Sequence, residues 1–371
     1  MSRLRIVPLA LAALALAACS ERSDPLGAGA AAPRPPSRAL AAALPAADTE
    51  LVLQQVQLRP GVTADLHLEV FVDEARQAAP CAAPTVVLAV HGFTHTAATW
   101  ARYADARFAE PEGRPCAVLA LDLPGHGGSS LPQGLLFGEL TLDDYATALL
   151  AVLDALEGSA FAPTALIGHS QGGLVIQMAQ QRRVDGGSSL RQADGIAEVE
   201  LLASAFPAGL PWSFAESGAA AALLGSLIVP GDPVLGPHVA VPPGFWPVLF
   251  FTNLSGGLAP GAPTPAEAAA NGWIAPAPLY ASLQLVGAPP FGRPLVAEGV
   301  FAGRHGTRLD VVTFEQDQLI RPAEGQALMR HLTGGEGGQS FIVVPGTFAV
   351  HDLYLSDPGA ILQARVPTPA G

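Results

Sequence analysis

Ser170 lies in the stretch LIGHSQGG, Leu166–Gly173, where an apolar run ends and the apolar, helix-like sequence GGLVIQMAQQ begins. Gly168 and Gly172 flank this serine in the pattern G-x-S-x-G. Small residues at these two positions permit a sharp turn between a strand and a helix, which lifts the serine hydroxyl above the edge of a sheet. The spacing therefore predicts that Ser170 is a nucleophile and not the middle of an ordinary turn.

A serine hydroxyl is a weak nucleophile at neutral pH, so this hypothesis requires a base and an acid that orients the base. Asp317 follows the strand-like run RLDVVTF, with Ile320 three residues later and a proline nearby. Glu315 stands in the same turn as a rival for the acid, whereas Asp310 lies inside the strand-like run, where a structural role is favoured. We predict that Asp317 is the acid.

The predicted base is His351, which lies in FIVVPGTFAVHDLYLSDPGAI, a loop between the last predicted strand and the C-terminal helix. His331 also follows the acid, but the sequence MRHL around it predicts a helix, where a surface or core role is favoured. The three groups then follow one another in the chain order serine, acid, histidine.

With these residues in this order, the chain resembles the α/β-hydrolase superfamily, in its serine esterase and lipase branch, over roughly residues 50 to 365. The resemblance implies an α/β-hydrolase fold. It also implies a catalytic triad made of Ser170, Asp317 and His351. The family usually has glycine before the histidine, where this chain has Val350.

The oxyanion that forms when a carbonyl carbon is attacked needs preorganised hydrogen-bond donors. By position, the resemblance implies the backbone N–H groups of Phe93, in the turn HGFT, and of Gln171, directly after the nucleophile. His91 is then expected to stabilise its turn as a buried, hydrogen-bonded histidine. The loop LDLPGHGGSS, residues 121–130, is similar to a D-x-P-G-x-G-x-S loop of the family and is expected to be loop architecture.

The implied chemistry is hydrolysis of a carboxylic ester through an acyl-enzyme, with no cofactor. The sequence has no metal-ligand spacing such as HExxH or CxxC, so no metal is expected. An aminopeptidase-like or acyl-transferring relative would use the same triad, and a non-catalytic binding lipoprotein is the alternative from another class. An anionic site for a free amine would favour the peptidase, and the sequence offers only scattered carboxylates such as Glu216 and Asp232.

The composition excludes several classes of protein. The chain has 371 residues, of which 50% are hydrophobic and 14% charged, so it can bury a large core. All 19 basic residues are arginine, which excludes a P-loop lysine, a Schiff-base lysine and a Ser-Lys dyad. The formal net charge of -13 repels a polyanionic partner, so no nucleic-acid binding is expected.

Alternation of apolar and polar residues from Leu51, around a Pro-Gly turn, predicts a hairpin at the start of the domain. The later apolar runs do not alternate, which is typical of strands buried on both faces of a parallel sheet. Helical patterns separate them, so we predict an α/β fold with a mostly parallel central sheet and helices on both faces. The runs are Thr85–Val90, Ala117–Leu121, Thr164–Gly168, Val199–Ala203, Leu309–Phe314 and Ser340–Val344.

Residues 204–303 interrupt this alternation of strands and helices. They are rich in proline and glycine, and we interpret them as a cap or lid insertion. The core would then comprise residues 49–203 and 304–371. Aromatic residues of the insertion would either line an apolar pocket for the substrate's acyl group or form the cap's own small core. The aromatics singled out for substrate binding are Trp212, Trp246, Phe250 and Trp273.

Residues 1–18 are typical of an export signal, because Arg3 and Arg5 precede an apolar run that ends in small residues before Cys19. The tetrapeptide LAAC resembles a bacterial lipobox, which implies a lipid on Cys19. Residues 19–48 then predict a flexible tether. The chain is expected in the cell envelope, on the outer membrane if the host is Gram-negative, with its catalytic domain outside the cytoplasm.

An exported compartment permits a disulfide between the two remaining cysteines, Cys81 and Cys116. Each cysteine precedes a strand-like run, TVVLAVHG or AVLALDLPG. If these two strands are parallel neighbours, both sulfur atoms lie at the same edge of the sheet. We expect this pairing, and two reduced, separately buried cysteines are the alternative.

Overall fold

The computed structural model describes residues 49–72, 85–110, 115–206, 219–287, 296–337 and 339–365. The predicted signal peptide, lipidation site and tether of residues 1–48 lie outside this part of the chain, as do Cys81 and Trp212. Within the described part, the helices are too short or too polar to span a bilayer.

Strands and helices follow one another along the chain as the sequence periodicity predicts. The strands are β1 (Thr49–Arg59), β2 (Val62–Val72), β3 (Val86–Val90), β4 (Ala117–Leu121), β5 (Ala165–His169), β6 (Glu198–Leu202), β7 (Ile228–Asp232), β8 (Gly236–Val239), β9 (Ala277–Pro278), β10 (Arg308–Phe314) and β11 (Ser340–Val344). The helices are α1 (Ala101–Phe108), α2 (Leu142–Leu156), α3 (Gln171–Asp185), α4 (Leu190–Asp194), α5 (Ala219–Leu227), α6 (Trp246–Phe250), α7 (Pro265–Ala270), α8 (Leu279–Leu285), α9 (Pro322–Thr333), α10 (Leu353–Ser356) and α11 (Pro358–Ala364).

The central sheet has eight strands in the order β1-β2-β4-β3-β5-β6-β10-β11. β1 pairs with β2, and β2 with β4, in antiparallel fashion. The remaining neighbours, from β4 to β11, are parallel. Parallel strands place all their carboxyl ends at one edge of the sheet, and the loops that leave this edge carry the candidate site residues.

The inner parallel strands β3, β4, β5, β6 and β10 are buried on both faces, as their unbroken apolar sequences predict. The prediction is wrong for β11, which lies at the edge of the sheet and is exposed or half-buried except at Val344. In β3, Val86, Leu88 and Val90 belong to one apolar cluster, whereas Val87 and Ala89 belong to a second cluster on the opposite face. Side chains of α2, α3 and α9 contribute to the first cluster, and side chains of α1, α6 and α11 contribute to the second. The predicted fold class, a mostly parallel sheet covered by helices on both faces, is confirmed.

Helix α2 begins at a capping box. The Thr141 hydroxyl accepts a hydrogen bond from the Asp144 N–H at 3.3 Å, and the Asp144 carboxylate accepts one from the Thr141 N–H at 2.8 Å. These two bonds satisfy N–H groups that the start of a helix otherwise leaves unpaired. The buried face of the helix carries Leu142, Tyr145, Leu149, Val152, Leu153 and Leu156.

Residues 219–287, between β6 and β10, are called the cap segment here. The cap segment contains α5 to α8 and a second, antiparallel sheet in the order β7-β8-β9. The loop before α2 holds it in place, because the Gly138 N–H donates to the Leu235 carbonyl at 2.8 Å and the Ala281 N–H donates to the Leu140 carbonyl at 3.0 Å.

Cys116 lies just before β4 and is disulfide-bonded. β3 and β4 are parallel neighbours, with Val86 opposite Ala117, so the strands that follow the two candidate cysteines do start side by side. Cys19 and Cys81 both lie outside the described residues, and the pairing of Cys81 with Cys116 stays a prediction.

Replacing Thr141 by alanine removes the side-chain oxygen of the capping box. We expect T141A to lower the free energy of unfolding by about 1 kcal/mol, because one helix N–H then loses its acceptor. Urea denaturation followed by circular dichroism measures the change. Thr141→Ser keeps the hydroxyl and serves as the control, and equal losses for the two variants would contradict the capping role.

Candidate active site

The turn between β5 and α3 carries Ser170 in a conformation that L-residues rarely adopt, with φ 50° and ψ -115°. Such a residue costs about 1–3 kcal/mol and persists only where neighbours hold it. The Ser170 N–H donates to the Leu202 carbonyl at 2.9 Å, and the Ser170 carbonyl accepts from the Ala205 N–H at 3.0 Å. The first bond comes from the last residue of β6 and the second from the loop that follows it, so the neighbouring strand and its loop fix the turn.

The two glycines of the motif are needed because backbone packs directly against them. A Cβ on Gly168 would lie 2.7 Å from the Cα of Gly173, at the start of the next helix. A Cβ on Gly172 would overlap the carbonyl oxygen of Val90, at the end of β3. The helix can therefore approach the sheet edge closely only with glycine at these positions, which places Ser170 at the carboxyl end of the parallel strands.

Asp317 and His351 meet in a buried hydrogen bond. The His351 Nδ1 lies 2.9 Å from the Asp317 Oδ2, and the other carboxylate oxygen accepts the N–H groups of Leu319 and Ile320 at 2.7 and 2.9 Å. A carboxylate with this many donors is held in one orientation, so Nδ1 carries the proton of the imidazole. The Nε2 of His351 is buried and has no hydrogen-bond partner among the described residues, which leaves its lone pair free.

The elbow and the histidine loop are in direct contact. His169, the residue before Ser170, approaches the carbonyl oxygen of His351 with its Nε2 at 3.0 Å, and the two imidazole rings lie 4.7 Å apart. The Gln316 N–H donates to the Ala349 carbonyl at 2.9 Å, which ties the acid turn to the same loop. Ser170, Asp317 and His351 are thus carried by loops that contact one another.

Two opposing effects set the pKa of His351. Burial disfavours the imidazolium and lowers the pKa, whereas the charge and hydrogen bond of Asp317, and the charge of Asp352, raise it. The net shift is upward from the ordinary value of 6.5. A raised pKa means that the imidazole holds a proton taken from a neighbouring hydroxyl more firmly near neutral pH.

The turn after β3 passes beside the elbow. A Cβ on Gly92 would lie 3.4 Å from the Cβ of Ser170, and Phe93 lines the same pocket as Ser170. Gln171 is the first residue of α3, where backbone N–H groups have no partner inside the helix. The backbone N–H groups predicted as oxyanion donors, those of Phe93 and Gln171, therefore belong to residues on the two sides of the serine.

His91 supports the turn, as the sequence suggests. It is fully buried, its Nδ1 lies 2.9 Å from the Gly92 carbonyl, and its Nε2 accepts the Leu123 N–H at 3.1 Å. Burial lowers the pKa of His91 well below its ordinary value, so the ring is neutral. Asp122 likewise accepts the N–H groups of Ala97 and Gly128, which makes residues 121–130 a supporting loop.

Comparison with known proteins identifies the family to which the chain belongs. The sequence pattern of the alpha/beta hydrolase family matches residues 86–364, well over half of the chain. The chain belongs to the alpha/beta hydrolase family.

Individual relatives of this alpha/beta hydrolase are distant. Over 90 residues the chain is 33% identical to protein phosphatase methylesterase 1 of Mus musculus, and this stretch covers 24% of the chain and 22% of that protein. A bromoperoxidase of Bacillus anthracis superposes with a TM-score of 0.55 at 14% identity, over 85% of this chain and 98% of that chain. A thermophilic esterase from Thermogutta terrifontis gives a TM-score of 0.48 at 17% identity, over 85% and 96%. The bromoperoxidase likeness concerns the fold alone.

A pocket opens at Ser170, and its lining is almost wholly apolar. The cap segment supplies most of its wall, and no charged side chain occurs in the described lining. Ser282 is the second hydroxyl there, and it donates to the Pro278 carbonyl at 2.6 Å. The lining residues are Phe93, Ser170, Leu223, Leu224, Leu227, Leu249, Phe250, Ser282, Leu285, Val286 and Leu319.

The aromatic residues predicted to bind substrate occupy different places in the structure. Phe250 lines the pocket. Trp246 is fully buried and packs on Phe251, with ring centroids 5.2 Å apart, and Trp273 is buried beneath the guanidinium of Arg102, also at 5.2 Å. Trp246 and Trp273 thus take the packing role that the sequence left open as the alternative.

The aliphatic lining residues of the pocket were missed by the sequence analysis, because leucines at helical spacing are ordinary core residues in a sequence. Two further polar residues, His95 and Asp352, were assigned no chemistry. They follow the predicted oxyanion turn and the predicted base closely along the chain, and this proximity was the available signal.

His169, His351 and Asp352 have ligand-type side-chain atoms within 4.8 Å of one another. Each group is already engaged: the His169 Nε2 with the His351 carbonyl, the His351 Nδ1 with Asp317, and the Asp352 Oδ2 with the His95 Nε2 at 2.7 Å. Each group also keeps one buried atom without a hydrogen-bond partner among the described residues: the His169 Nδ1, the His351 Nε2 and the Asp352 Oδ1. The expectation that the protein uses no metal stays a prediction.

The opposing effects on His351 can be separated by Asp317→Asn. In the wild-type chain we expect the His351 pKa above 6.5, because Asp317 and Asp352 together outweigh burial. In the variant the charge is gone and burial dominates, so the pKa should fall below 6.5. Proton NMR titration of the imidazole resonances measures both values, and an unchanged pKa in the variant would contradict the assignment of Asp317 as the partner.

Proposed function

We propose that this alpha/beta hydrolase is a serine hydrolase that cleaves carboxylic esters through Ser170, His351 and Asp317. The observation that carries the proposal is the orientation of His351, whose Nδ1 is held by the buried Asp317 while its Nε2 is left free. This imidazole lies in a loop that contacts the strained elbow of Ser170. A nucleophile, a base and an orienting acid are the parts that acyl transfer requires.

In the proposed mechanism, the His351 Nε2 takes the proton of the Ser170 hydroxyl as its oxygen attacks the ester carbonyl carbon. Asp317 stabilises the imidazolium, and the N–H groups of Phe93 and Gln171 stabilise the negative oxygen. The imidazolium then gives its proton to the alcohol oxygen as the carbon–oxygen bond breaks, which leaves an acyl-enzyme. A water molecule, activated by the same histidine, releases the carboxylic acid and restores the serine.

The apolar pocket supports a substrate with an uncharged hydrophobic acyl group. A charged group placed against leucines and phenylalanines would lose its hydration without gaining a partner. The name of the mammalian relative also describes an esterase, although the match spans less than a quarter of either protein.

The peptidase alternative lacks support in the described pocket. Recognition of a free amino terminus needs a carboxylate near the nucleophile, and the described lining has none. Asp232, one of the two carboxylates considered for that role, instead accepts the N–H groups of Val234 and Leu235 in its own turn. Glu216 lies outside the described residues.

The first test is hydrolysis of p-nitrophenyl esters of increasing acyl length by the chain that starts after Cys19. We expect a length optimum set by the pocket, and loss of activity by at least about a thousandfold in Ser170→Ala, because the nucleophile is removed. Spectrophotometric release of p-nitrophenol measures both. Equal rates for the two proteins would contradict the proposal.

Leu285→Phe tests the assignment of the pocket within the same assay. The larger ring fills space at the pocket wall, so the optimum should move to shorter acyl chains while the shortest ester is still hydrolysed. Leu362→Phe, on α11 and away from the pocket lining, is the matched control and should keep the wild-type optimum.

We also propose, on the support of the LAAC tetrapeptide alone, that the protein is anchored to the cell envelope by a lipid on Cys19. The full chain expressed in a Gram-negative host should then partition into the detergent phase and carry diacylglycerol on Cys19. Cys19→Ser cannot be lipidated and should not carry this added mass. Mass spectrometry of the purified chains measures it, and an unlipidated wild-type chain would contradict the proposal.

A further inference from the structure

His95 is fully buried, and both of its ring nitrogens face oxygen atoms. The Nδ1 makes a short hydrogen bond to the carbonyl oxygen of Phe93, and the Nε2 lies 2.7 Å from the Oδ2 of Asp352. A carbonyl oxygen can only accept, so the Nδ1 carries a proton. The Nε2 must share a second proton with the carboxylate.

The position of this second proton follows from the surroundings of Asp352. Burial alone would raise the pKa of its carboxyl group, but the charge and hydrogen bond of His95, together with His169 and His351, lower it below the ordinary value. The carboxylate is therefore ionised, and because both ring nitrogens of His95 face acceptor oxygens, the geometry makes the imidazole the donor in both hydrogen bonds. The result is a buried ion pair. Removing one partner alone leaves an unpaired buried charge, which strongly destabilises the folded protein.

This ion pair joins two loops of the candidate active site. On one side, Phe93 carries a proposed oxyanion donor. On the other side, Asp352 directly follows His351, the proposed base. The two residues of the pair are 257 positions apart in the chain, so they connect the turn after β3 with the loop after β11.

The turn that His95 holds is strained and needs such support. Thr94, between Phe93 and His95, has a positive φ of 59°. The His95 N–H closes the turn by donating to the Gly92 carbonyl at 3.3 Å, and the imidazole holds the Phe93 carbonyl from the other side. The Gly92 carbonyl and the Phe93 N–H belong to one peptide group, and the Phe93 carbonyl belongs to the next. The two bonds of His95 therefore hold the peptide groups on both sides of the Phe93 Cα, and with them the direction of the Phe93 N–H.

The cap segment covers the pair. The rings of Trp246 and Phe250 lie 5.2 and 5.0 Å from the ring of His95, and the Asp352 N–H donates to the Phe250 carbonyl at 3.2 Å. Aromatic faces near a cation are favourable contacts, and they also exclude water, which strengthens the electrostatic attraction inside.

We propose that His95, paired with Asp352, is a positioning residue that aligns the Phe93 N–H with the proposed base, so that the oxyanion is stabilised as the serine attacks. The inference rests on the proposed esterase function. His95 itself touches no reacting atom in this scheme. Its effect is therefore on the transition state, whose negative oxygen needs a donor placed to within a fraction of an ångström.

Two substitutions separate the two hydrogen bonds. His95→Asn keeps a donor near the Nδ1 position, toward Phe93, but loses the link to Asp352. His95→Gln keeps a donor near the Nε2 position and loses the bond to Phe93. We expect kcat for the preferred p-nitrophenyl ester to fall about 10- to 100-fold in each, with KM little changed, because His95 is not among the lining residues of the pocket.

The inhibition constant of butylboronic acid provides a second measurement, which a purely structural role of His95 would leave unchanged. Its boron forms a bond with a serine oxygen, and the resulting tetrahedral anion places a negative oxygen in the oxyanion site. The inhibition constant should rise in parallel with the loss of kcat. Asp352→Asn should act in the same direction, and the double variant H95N/D352N should lose little more than either single variant.

The control is His67→Gln, which keeps a donor near the Nε2 position and so breaks another buried histidine–aspartate contact, between the His67 Nδ1 and the Asp122 Oδ2 at 2.8 Å. It should lower Tm while leaving kcat and the boronic acid inhibition constant unchanged. If the His95 variants behave in the same way, or if KM rises in place of kcat falling, the positioning role is wrong.

Failure of the esterase function is separately visible, because Ser170→Ala would then hydrolyse the ester as fast as the wild type. Should the His95 variants fail to fold, nitrogen-15 NMR of the wild-type chain decides the ion pair. Protons on both nitrogens of His95 are expected, and a neutral ring with one proton would overturn the inference.

Discussion

The conformation of Ser170 is the constraint on which the candidate site depends. Its positive φ costs about 1–3 kcal/mol, and the hydrogen bonds from β6 and the loop that follows it hold it in place. The same turn brings the start of α3 against the end of β3, which only glycine at position 172 permits. Since β3 continues into the turn that carries Phe93, the elbow also determines how near the proposed oxyanion donor lies to the serine.

Around this turn, buried histidine–carboxylate contacts take two different forms. In the contact between His351 and Asp317, one nitrogen is held and the other is left free, which suits a group that must take and return a proton. In the contact between His95 and Asp352, both nitrogens are engaged, which suits a group that holds backbone in place. His169 lies beside both contacts, with its Nε2 3.0 Å from the His351 carbonyl oxygen and its ring 5.9 Å from the ring of His95. The difference in free hydrogen-bonding capacity separates the proposed base from the proposed positioning residue.

The cap segment has two roles that its sequence does not distinguish. Aliphatic side chains of α5, α6 and α8 form the wall of the pocket. Trp246, on the same short helix as Phe250, instead packs over His95. A single five-residue helix, α6, therefore contributes one aromatic ring to the pocket and covers the buried ion pair with another. A change in the position of this helix would affect substrate binding and the oxyanion turn together.

The sequence by itself determined the features that depend on local chemistry. Unbroken apolar runs predicted the strands, and the glycine spacing predicted the elbow, because each signal acts within a few residues. Only the tertiary structure decided which side chains meet across the sheet edge. The direction of Trp246, the leucine wall of the pocket and the pairing of His95 with Asp352 depend on how the cap segment and the histidine loop pack on the strands. Contacts between residues hundreds of positions apart leave no periodic pattern in a single sequence.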